Sequence, residues 1–203
     1  IQGGAPVGKL LAEKTVLQGT TPFIVRTTVR NIDDPFDGTI GGAPNDLAPA
    51  DYRLIEIEVS CGACQFAPVR MTTTAAPKNL EGATNNGALF INAFDAFGKP
   101  VSNANVLIVN TKTNPNILIN DLTNVNGVLQ LVDIATSSAG YQITVTKNGY
   151  STDKTYPIGG AGNPNPVKPH ATVAKQQVTA ISFAIDKVSA INFKTMDIMC
   201  AAV

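Results

Sequence analysis

The stretch from Gly87 to Ile158 constrains the fold more than any other part of the chain. It consists of short runs rich in Val, Ile, Leu, Phe and Tyr, and turn-forming pairs separate these runs. The pairs are Phe97-Gly98, Asn126-Gly127, Ala139-Gly140 and Asn148-Gly149. This punctuation is typical of antiparallel strands, so the sequence predicts an all-β chain with a small β-sandwich at its centre.

Three further runs precede the sandwich and predict a small antiparallel sheet. They are Pro22–Asn31, Tyr52–Ser60 and Phe66–Thr74. In each run apolar side chains alternate with polar ones, so we expect one face of this sheet to be buried.

The apolar pattern also predicts the register of that sheet. Matching the second and third runs face to face sets Ile57 near Val69 and Arg70 beside Glu56, because a shift by one residue would turn every side chain to the opposite face. If the first run lies on the other side of the second, we expect Arg26 and Arg30 to reach Glu56 and Glu58 and to extend this ladder of charges. Such exposed pairs contribute little stability each.

The N-terminal segment predicts a short helix. Val7, Leu10 and Leu11 fall at helical spacing within VGKLLAEKTVLQ. A run of about three turns is marginal on its own. It is therefore interpreted as a short helix packed on the sheet, as the last turns of a longer helix, or as an ordered tail.

A turn-rich linker at 75–86 predicts two domains: an antiparallel sheet at 1–78 and a β-sandwich at 87–186, followed by a C-terminal extension at 187–203. Within the sandwich, the Gly/Pro-rich loop 159–170 has few apolar residues to bury and is expected to be mobile. Strand character returns at 177–186, which should complete the sandwich.

The charge balance excludes several classes of partner. The chain has 15 Lys and Arg against 15 Asp and Glu, and no basic stripe. Nucleic acids and anionic membranes both require a concentrated positive field, so neither is expected. No run approaches the roughly 18 apolar residues that span a bilayer, so membrane contact would require a segment absent from this sequence. The uncharged polar surface suits an extracellular protein, and the lack of Asn-x-Ser/Thr sites favours a prokaryotic one.

The cysteines predict one disulfide. Cys61 and Cys64 form a C-x-x-C pair between two predicted strands, which could be a redox site, half of a zinc site or a structural disulfide. A redox site needs a helix N-terminus, and a zinc site needs two more ligands, for which only Cys200 and His170 remain. The disulfide is favoured, provided that the chain turns back to bring the α-carbons within about 6 Å.

No catalytic or cofactor-binding constellation is recognised. His170, the one histidine, lies in a Pro-rich loop, whereas a catalytic histidine needs a rigid position beside a nucleophile. The Gly-Gly pairs lack the Lys-Ser/Thr and the helix of a phosphate-binding loop. We therefore expect a chain that is not an enzyme and binds no cofactor.

Two sets of residues could carry other chemistry. The loop 32–50 supplies hard oxygen ligands of the kind calcium prefers, although their spacing matches no EF-hand and Asp is an ordinary turn residue. These calcium candidates are Asp33, Asp34, Asp37 and Asp46. An intramolecular Lys–Asn isopeptide bond would need a buried carboxylate beside the pair; the groups available are Lys99, Lys112 and Lys147 with Asn103, Asn105 or Asn120.

The segment 87–150 resembles the carboxypeptidase-regulatory-like, transthyretin-like sandwich modules. The residues that carry the resemblance are D-x-x-G-x-P-V at 95–101, A-x-V at 104–106, T-x-x-x-G at 123–127 and the G-Y-x-(I/V)-x-V-x-K-x-G-Y pattern at 140–150. The resemblance implies a transthyretin/Ig-like β-sandwich that acts in spacing or adhesion on extracellular proteins, without catalytic residues.

The stretch 22–77 is similar to the globular sheet of type IV minor pilins and pseudopilins, through FIVRTTV at 23–29, DYRLIEIEV at 51–59 and PVRMTTT at 68–74. This similarity implies a structural subunit of an extracellular pilus-like filament, with other subunits as partners and an apolar helix outside this sequence that anchors or polymerises it. The alternative is an adhesin or accessory module of a larger secreted protein that recognises a glycan or protein through its loops.

Overall fold

The structure is a computed structural model, and it describes residues 10–62, 64, 66–76 and 84–189. It is all β, with twelve strands in three sheets. The strands are β1 Glu13–Gln18, β2 Thr21–Ile32, β3 Tyr52–Ser60, β4 Val69–Ala75, β5 Gly87–Phe94, β6 Asn105–Asn110, β7 Ile117–Leu122, β8 Val128–Ile134, β9 Ser137–Thr146, β10 Asp153–Lys154, β11 Ala171–Val173 and β12 Val178–Ala184. Among these residues no helix is long and apolar enough to cross a membrane.

The first four strands form an antiparallel meander in the order β1-β2-β3-β4. The helix predicted for VGKLLAEKTVLQ is wrong from Glu13 onward, because these residues form β1 and pair with β2 from Glu13↔Arg26 to Gln18↔Thr21. Gly19 makes the reversal possible with a φ of 63°, a conformation that glycine adopts without strain. The first part of the predicted helix, residues 7–9, lies outside the described residues.

The register of β3 and β4 differs from the prediction by two residues. Ile57 lies opposite Met71 rather than Val69, and Arg70 lies opposite Glu58 rather than Glu56. A shift of two residues keeps every side chain on its predicted face, so alternation alone cannot detect it. Charge matching cannot detect it either, because Arg70 faces a glutamate in both registers, Glu58 in the structure and Glu56 in the prediction.

The sandwich consists of two sheets around one core. The larger sheet has the order β10-β9-β6-β7 with β11 on β9, and the smaller has the order β12-β5-β8. The prediction that 177–186 completes the sandwich agrees with β12, but this strand runs parallel to β5 from Val178↔Ala88 to Ala184↔Phe94. The parallel pairing is possible because β10 and β11 carry the chain back across the sandwich before β12 begins.

The core lies between these two sheets, where alternate side chains of each strand point inward. Its most deeply buried side chains, less than 2% exposed, include Leu89, Ile91, Val106, Ile108, Tyr141, Ile143, Val145, Phe183 and Ile185. Burial raises the pKa of Tyr141 to about 12, and its hydroxyl donates a hydrogen bond to the carbonyl of Ala135.

The loop 159–170 makes more contacts than its composition predicts. Tyr156, just before the loop, forms a β-bridge with Pro169 near the loop's end. His170 N also donates a hydrogen bond to Tyr156 O at 3.0 Å. Lys168 forms an ion pair with Asp153 and lies over the ring of Phe183, 4.5 Å from its centroid. Before the loop only Asp153–Lys154 form a strand, β10, and Tyr156 N then donates to Lys168 O at 2.9 Å. Cys200 and most of the predicted C-terminal extension, residues 190–203, lie outside the described residues.

Candidate functional site

The four-stranded sheet has an apolar face that is only half covered. No residue of β1–β4 is fully buried, and β1 and β4 are exposed throughout. Directly opposite residues share a face of a sheet, and these opposite sets are Val25–Val59–Val69, Thr27–Ile57–Met71 and Val29–Ile55–Thr73. Val69 is 55% and Met71 68% exposed. The expectation that one face of this sheet is buried is therefore wrong for the residues that the structure describes.

The opposite face carries a row of alternating charges that crosses all four strands. Glu13, Arg26, Glu58 and Arg70 lie directly opposite one another in this order. The Arg26 Nε to Glu13 Oε2 distance is 2.9 Å, Arg26 Nη1 to Glu58 Oε1 is 3.9 Å, and Arg70 Nη2 to Glu58 Oε2 is 2.7 Å. The hydrogen bond to Glu13 raises the pKa of Arg26. We call these four residues the charge row.

Arg30 does not join this ladder. It lies opposite Leu54, and its guanidinium forms a two-pronged ion pair with Asp121 on β7 of the sandwich, in which Nε donates to Oδ2 at 2.7 Å. Asp121 is only 8% exposed, and this hydrogen bond raises the pKa of Arg30. Beside it, Asn31 Nδ2 donates to Val132 O at 3.4 Å. The end of β2 is thus attached to both sheets of the sandwich.

The sequence of β7 contains a signal for this junction. Along β7, Ile117, Ile119 and Asp121 point to one side, and the last two are buried. A carboxylate at an inward position of a strand needs a cation. Arg30 provides it from 91 residues earlier in the chain, a distance that pattern reasoning does not bridge.

The acidic residues of the loop 32–50 mostly bind backbone amides. Asp33 Oδ2 accepts from Ile40 N at 3.0 Å, Asp34 Oδ1 from Phe36 N at 2.9 Å, and Asp46 Oδ1 from Ala48 N at 2.7 Å. Burial raises the pKa of Asp33, and the charges of Asp46, Asp51 and Asp37 add to the effect. One oxygen of Asp33 and one of Asp46 are buried without a partner. No group of three acidic, His or Cys side chains among the described residues could hold a metal, so calcium binding here stays a prediction.

Cys61 and Cys64 are joined by a disulfide at the tip of the β3–β4 hairpin, with their α-carbons 5.3 Å apart. Cys61 is 8% exposed, and Cys64 N donates to Cys61 O at 3.3 Å. Close to the tip, the rings of Phe23 and Phe66 stack with centroids 6.4 Å apart.

His170 lies beside the hydroxyl of Thr155, but the contact is a structural hydrogen bond and lacks the features of a catalytic pair. Its Nδ1 is 3.0 Å from Thr155 Oγ1, which also accepts a hydrogen bond from Ile143 N at 2.9 Å. Thr155 is 5% exposed, so its oxygen is closed to a substrate. Burial lowers the pKa of the His170 ring, and the positive charge of Lys112 lowers it further. A nucleophile–base pair would instead need a carboxylate that orients the ring.

The motif residues of the sandwich also act structurally. Asp95 Oδ1 accepts from Phe97 N and Lys99 N, both at 2.9 Å. The hydroxyl of Thr123, 1% exposed, donates to Val101 O at 2.7 Å. Gly127 has a φ of 70°, and a side chain there would come within 2.4 Å of Ala93 O.

Two of the three lysines considered for an isopeptide bond donate to backbone carbonyls. Lys112 Nζ lies 3.2 Å from Ser138 O and 3.0 Å from Ala139 O, and Lys147 Nζ lies 2.8 Å from Ser102 O. These contacts hold both ammonium groups at main-chain oxygens.

The chain was compared with known proteins in three ways. No protein-family model matches it, and no curated protein matches it, so the two family resemblances remain predictions. Among solved structures it is similar to GBS52, the minor pilin of the Gram-positive pathogen Streptococcus agalactiae, with 9% identity over 70% of this chain and 63% of that one and a TM-score of 0.40. It is also similar to the Bacillus anthracis TIE protein, with 11% identity over 91% of this chain and 40% of that one and a TM-score of 0.38. The chain thus spans less than two thirds of either protein.

Proposed function

We propose that this chain is a non-catalytic structural subunit of an extracellular pilus-like filament or cell-surface appendage. The observation that carries the proposal is the half-covered apolar face of β1–β4. A sheet with one apolar face must bury that face against another element, and contiguous apolar surface of this kind marks an interaction site. The sandwich has its own closed core, so it remains available for display while the sheet packs into an assembly.

The proposal is tested on the cells that produce the protein. Antibodies against this chain should label filaments at repeated positions in negative-stain electron microscopy, and purified filaments should contain the protein as a stoichiometric component. Label confined to secreted material or to the cell wall, with unlabelled filaments, would refute the filament role.

A second function, recognition of a glycan or protein, is favoured by one feature. A cleft of about 340 Å³ lies between the start of the acidic loop and the sandwich, and it is lined by polar groups of Arg30, Asn31, Asp33, Asn124 and Gln130. Binding that an Asn124→Ala, Gln130→Ala variant loses in glycan and protein screens would support this role. Equal binding by the wild type and this variant would exclude the cleft as the binding site.

A further inference from the structure

A second cleft lies on the larger sheet of the sandwich. It has a volume of about 310 Å³ and is enclosed by the residues that follow β6, the first half of β9, Pro157, Ile158 and His170. This volume is at the lower end of the range for small-ligand sites. The cleft shares no lining residue with the cleft beside the acidic loop, so it is a separate candidate site.

The polar side chains of this cleft supply hydrogen-bond donors and one positive charge. They belong to Thr111, Lys112, Gln142 and His170, and no Asp or Glu lines the cleft. Lys112 Nζ donates to the carbonyls of Ser138 and Ala139. An ammonium group has three N–H donors, so one donor of Lys112 remains for a ligand.

The hydrogen bonds of His170 place a further donor in the cleft. Thr155 Oγ1 accepts from Ile143 N, so the hydroxyl proton is free to bond to His170 Nδ1, 3.0 Å away. A neutral imidazole whose Nδ1 accepts a hydrogen bond carries its proton on Nε2. The ring is mostly neutral at pH 7, because burial and then the charge of Lys112 lower its pKa from 6.5. Since Nδ1 faces the buried Thr155, the Nε2–H donor lies on the opposite edge of the ring.

The single charge of the cleft favours a carboxylate over a phosphate. One ammonium group balances one negative charge, whereas phosphate sites usually combine Arg forks or the N-terminus of a helix. Neither feature lines this cleft.

The rest of the lining favours an aliphatic group beside the carboxylate. Pro157 and Ile158 form an apolar wall, and Ile158 is 65% exposed. An aliphatic side chain placed against this wall would remove apolar surface from water. No Phe, Tyr or Trp lines the cleft as a platform for a sugar ring.

We propose that this cleft binds the C-terminal carboxylate of a peptide or protein whose last residue is aliphatic. Lys112 and His170 Nε2 donate to the carboxylate, Thr111 and Gln142 bond to the last peptide groups, and the aliphatic side chain lies against Ile158. Capture of a C-terminal carboxylate is a recurring mode of peptide recognition. The inference goes beyond the filament role, because it assigns a partner to the sandwich itself.

A pair of peptides tests the carboxylate. The ¹⁵N-labelled full chain is titrated at pH 7 with acetyl-Gly-Gly-Leu and with the same peptide as its C-terminal amide, and binding is followed by NMR. The free acid should give saturable shifts centred on the amides of Thr111, Lys112, Gln142 and His170. The peptide amide should bind about tenfold more weakly, because it lacks the charge-assisted hydrogen bonds. Equal binding of the two peptides, or no saturable shift at millimolar peptide, would overturn the proposal.

Substitutions test the site. Lys112→Gln should weaken binding of the free acid about tenfold, whereas Lys99→Gln, which removes the same charge from an exposed residue outside the cleft, should leave it unchanged. Ile158→Asp places a negative charge on the apolar wall and should also weaken binding. Because Ile158 is exposed, this variant keeps the test valid if circular dichroism shows that Lys112→Gln is misfolded. Equal effects of the two lysine substitutions would indicate nonspecific attraction and contradict the site.

An acidic sugar is the competing ligand. Glucuronic acid, titrated in the same way, should bind more weakly than the peptide acid because it offers no aliphatic side chain to Ile158. If it binds more tightly at the same residues, the cleft is an acidic-sugar site and the peptide proposal is wrong. Antibody labelling of filaments tests the structural function separately, so either proposal can fail without the other.

Discussion

Ile108 in the sandwich is 0% exposed, whereas Ile57, at the centre of the four-stranded sheet, keeps part of its surface accessible. Both lie on a central strand with apolar neighbours. The difference is that the sandwich has a second sheet over its inner face, and β1–β4 have no comparable layer among the described residues. Among the described residues, one region therefore buries its apolar face completely and the other leaves its apolar face partly exposed.

The largest effect should come from the sandwich core. Ile108→Ala should lower the free energy of unfolding by about 2–5 kcal/mol, because it removes buried methyl groups and leaves a cavity. Ile57→Ala should cost clearly less in the isolated chain, since water already reaches that site. Urea unfolding followed by circular dichroism compares them, and equal losses would contradict the distinction between the two regions.

The next largest loss of stability is expected at the Arg30–Asp121 ion pair, which joins β2 to the sandwich. Arg30→Leu leaves the buried carboxylate of Asp121 without its cation, and we expect a loss of about 2–3 kcal/mol, below the range for a fully buried pair because Arg30 is partly exposed. The double variant Arg30→Leu, Asp121→Leu should recover most of that loss. If the single and double variants are equally destabilised, the ion pair is not what makes the single substitution costly.

Removal of the disulfide should have a smaller effect. Cys61→Ser, Cys64→Ser opens a very small ring, for which loop entropy predicts a loss of about 2 kcal/mol at most. Hydrogen exchange should rise at the ends of β3 and β4 and stay constant in β6 and β9. Faster exchange throughout the sandwich would show that the two regions unfold together.

The smallest predicted effect depends on pH. Because the pKa of His170 is lowered from its ordinary value of 6.5, the unfolded chain binds a proton more readily than the folded chain just below that pH. Stability should therefore decrease as the pH falls through about 6.5, and this slope should be shallower in His170→Gln. Denaturant midpoints between pH 7.5 and 5.5 measure it, and identical slopes would mean that burial of the ring is not linked to folding.

The fold class could be predicted because alternation and turn residues are local signals. The predicted run Tyr52–Ser60 has the observed bounds of β3, since it is a period-2 run between clear breaks. The β1 segment was misread because Leu10 and Leu11 suggest a helical face, whereas Thr15, Val16 and the turn at Gly19 favour a hairpin. The local pattern was ambiguous, and pairing with β2 decided it.

The charge row and the Arg30–Asp121 ion pair could not be predicted from the sequence in the same way. The charge row requires the register of four strands, and the predicted register was two residues off at Arg70. The Arg30–Asp121 pair requires the placement of the sheet against the sandwich, which no local pattern encodes. The turn role of Asp95 and Gly98, in contrast, follows directly from their spacing.

The parallel pairing of β5 and β12 has a mechanical consequence. The chain enters the sandwich at the start of β5 and leaves it after the end of β12, and these two points lie at opposite ends of a ladder of seven residue pairs. Tension between them pulls the strands past each other along their length, so the hydrogen bonds of the ladder are loaded together in shear. In the β1–β2 hairpin the free ends are adjacent, and a pull there would open the pairs one after another. Under tension the chain should therefore hold at the sandwich and yield first in the hairpin.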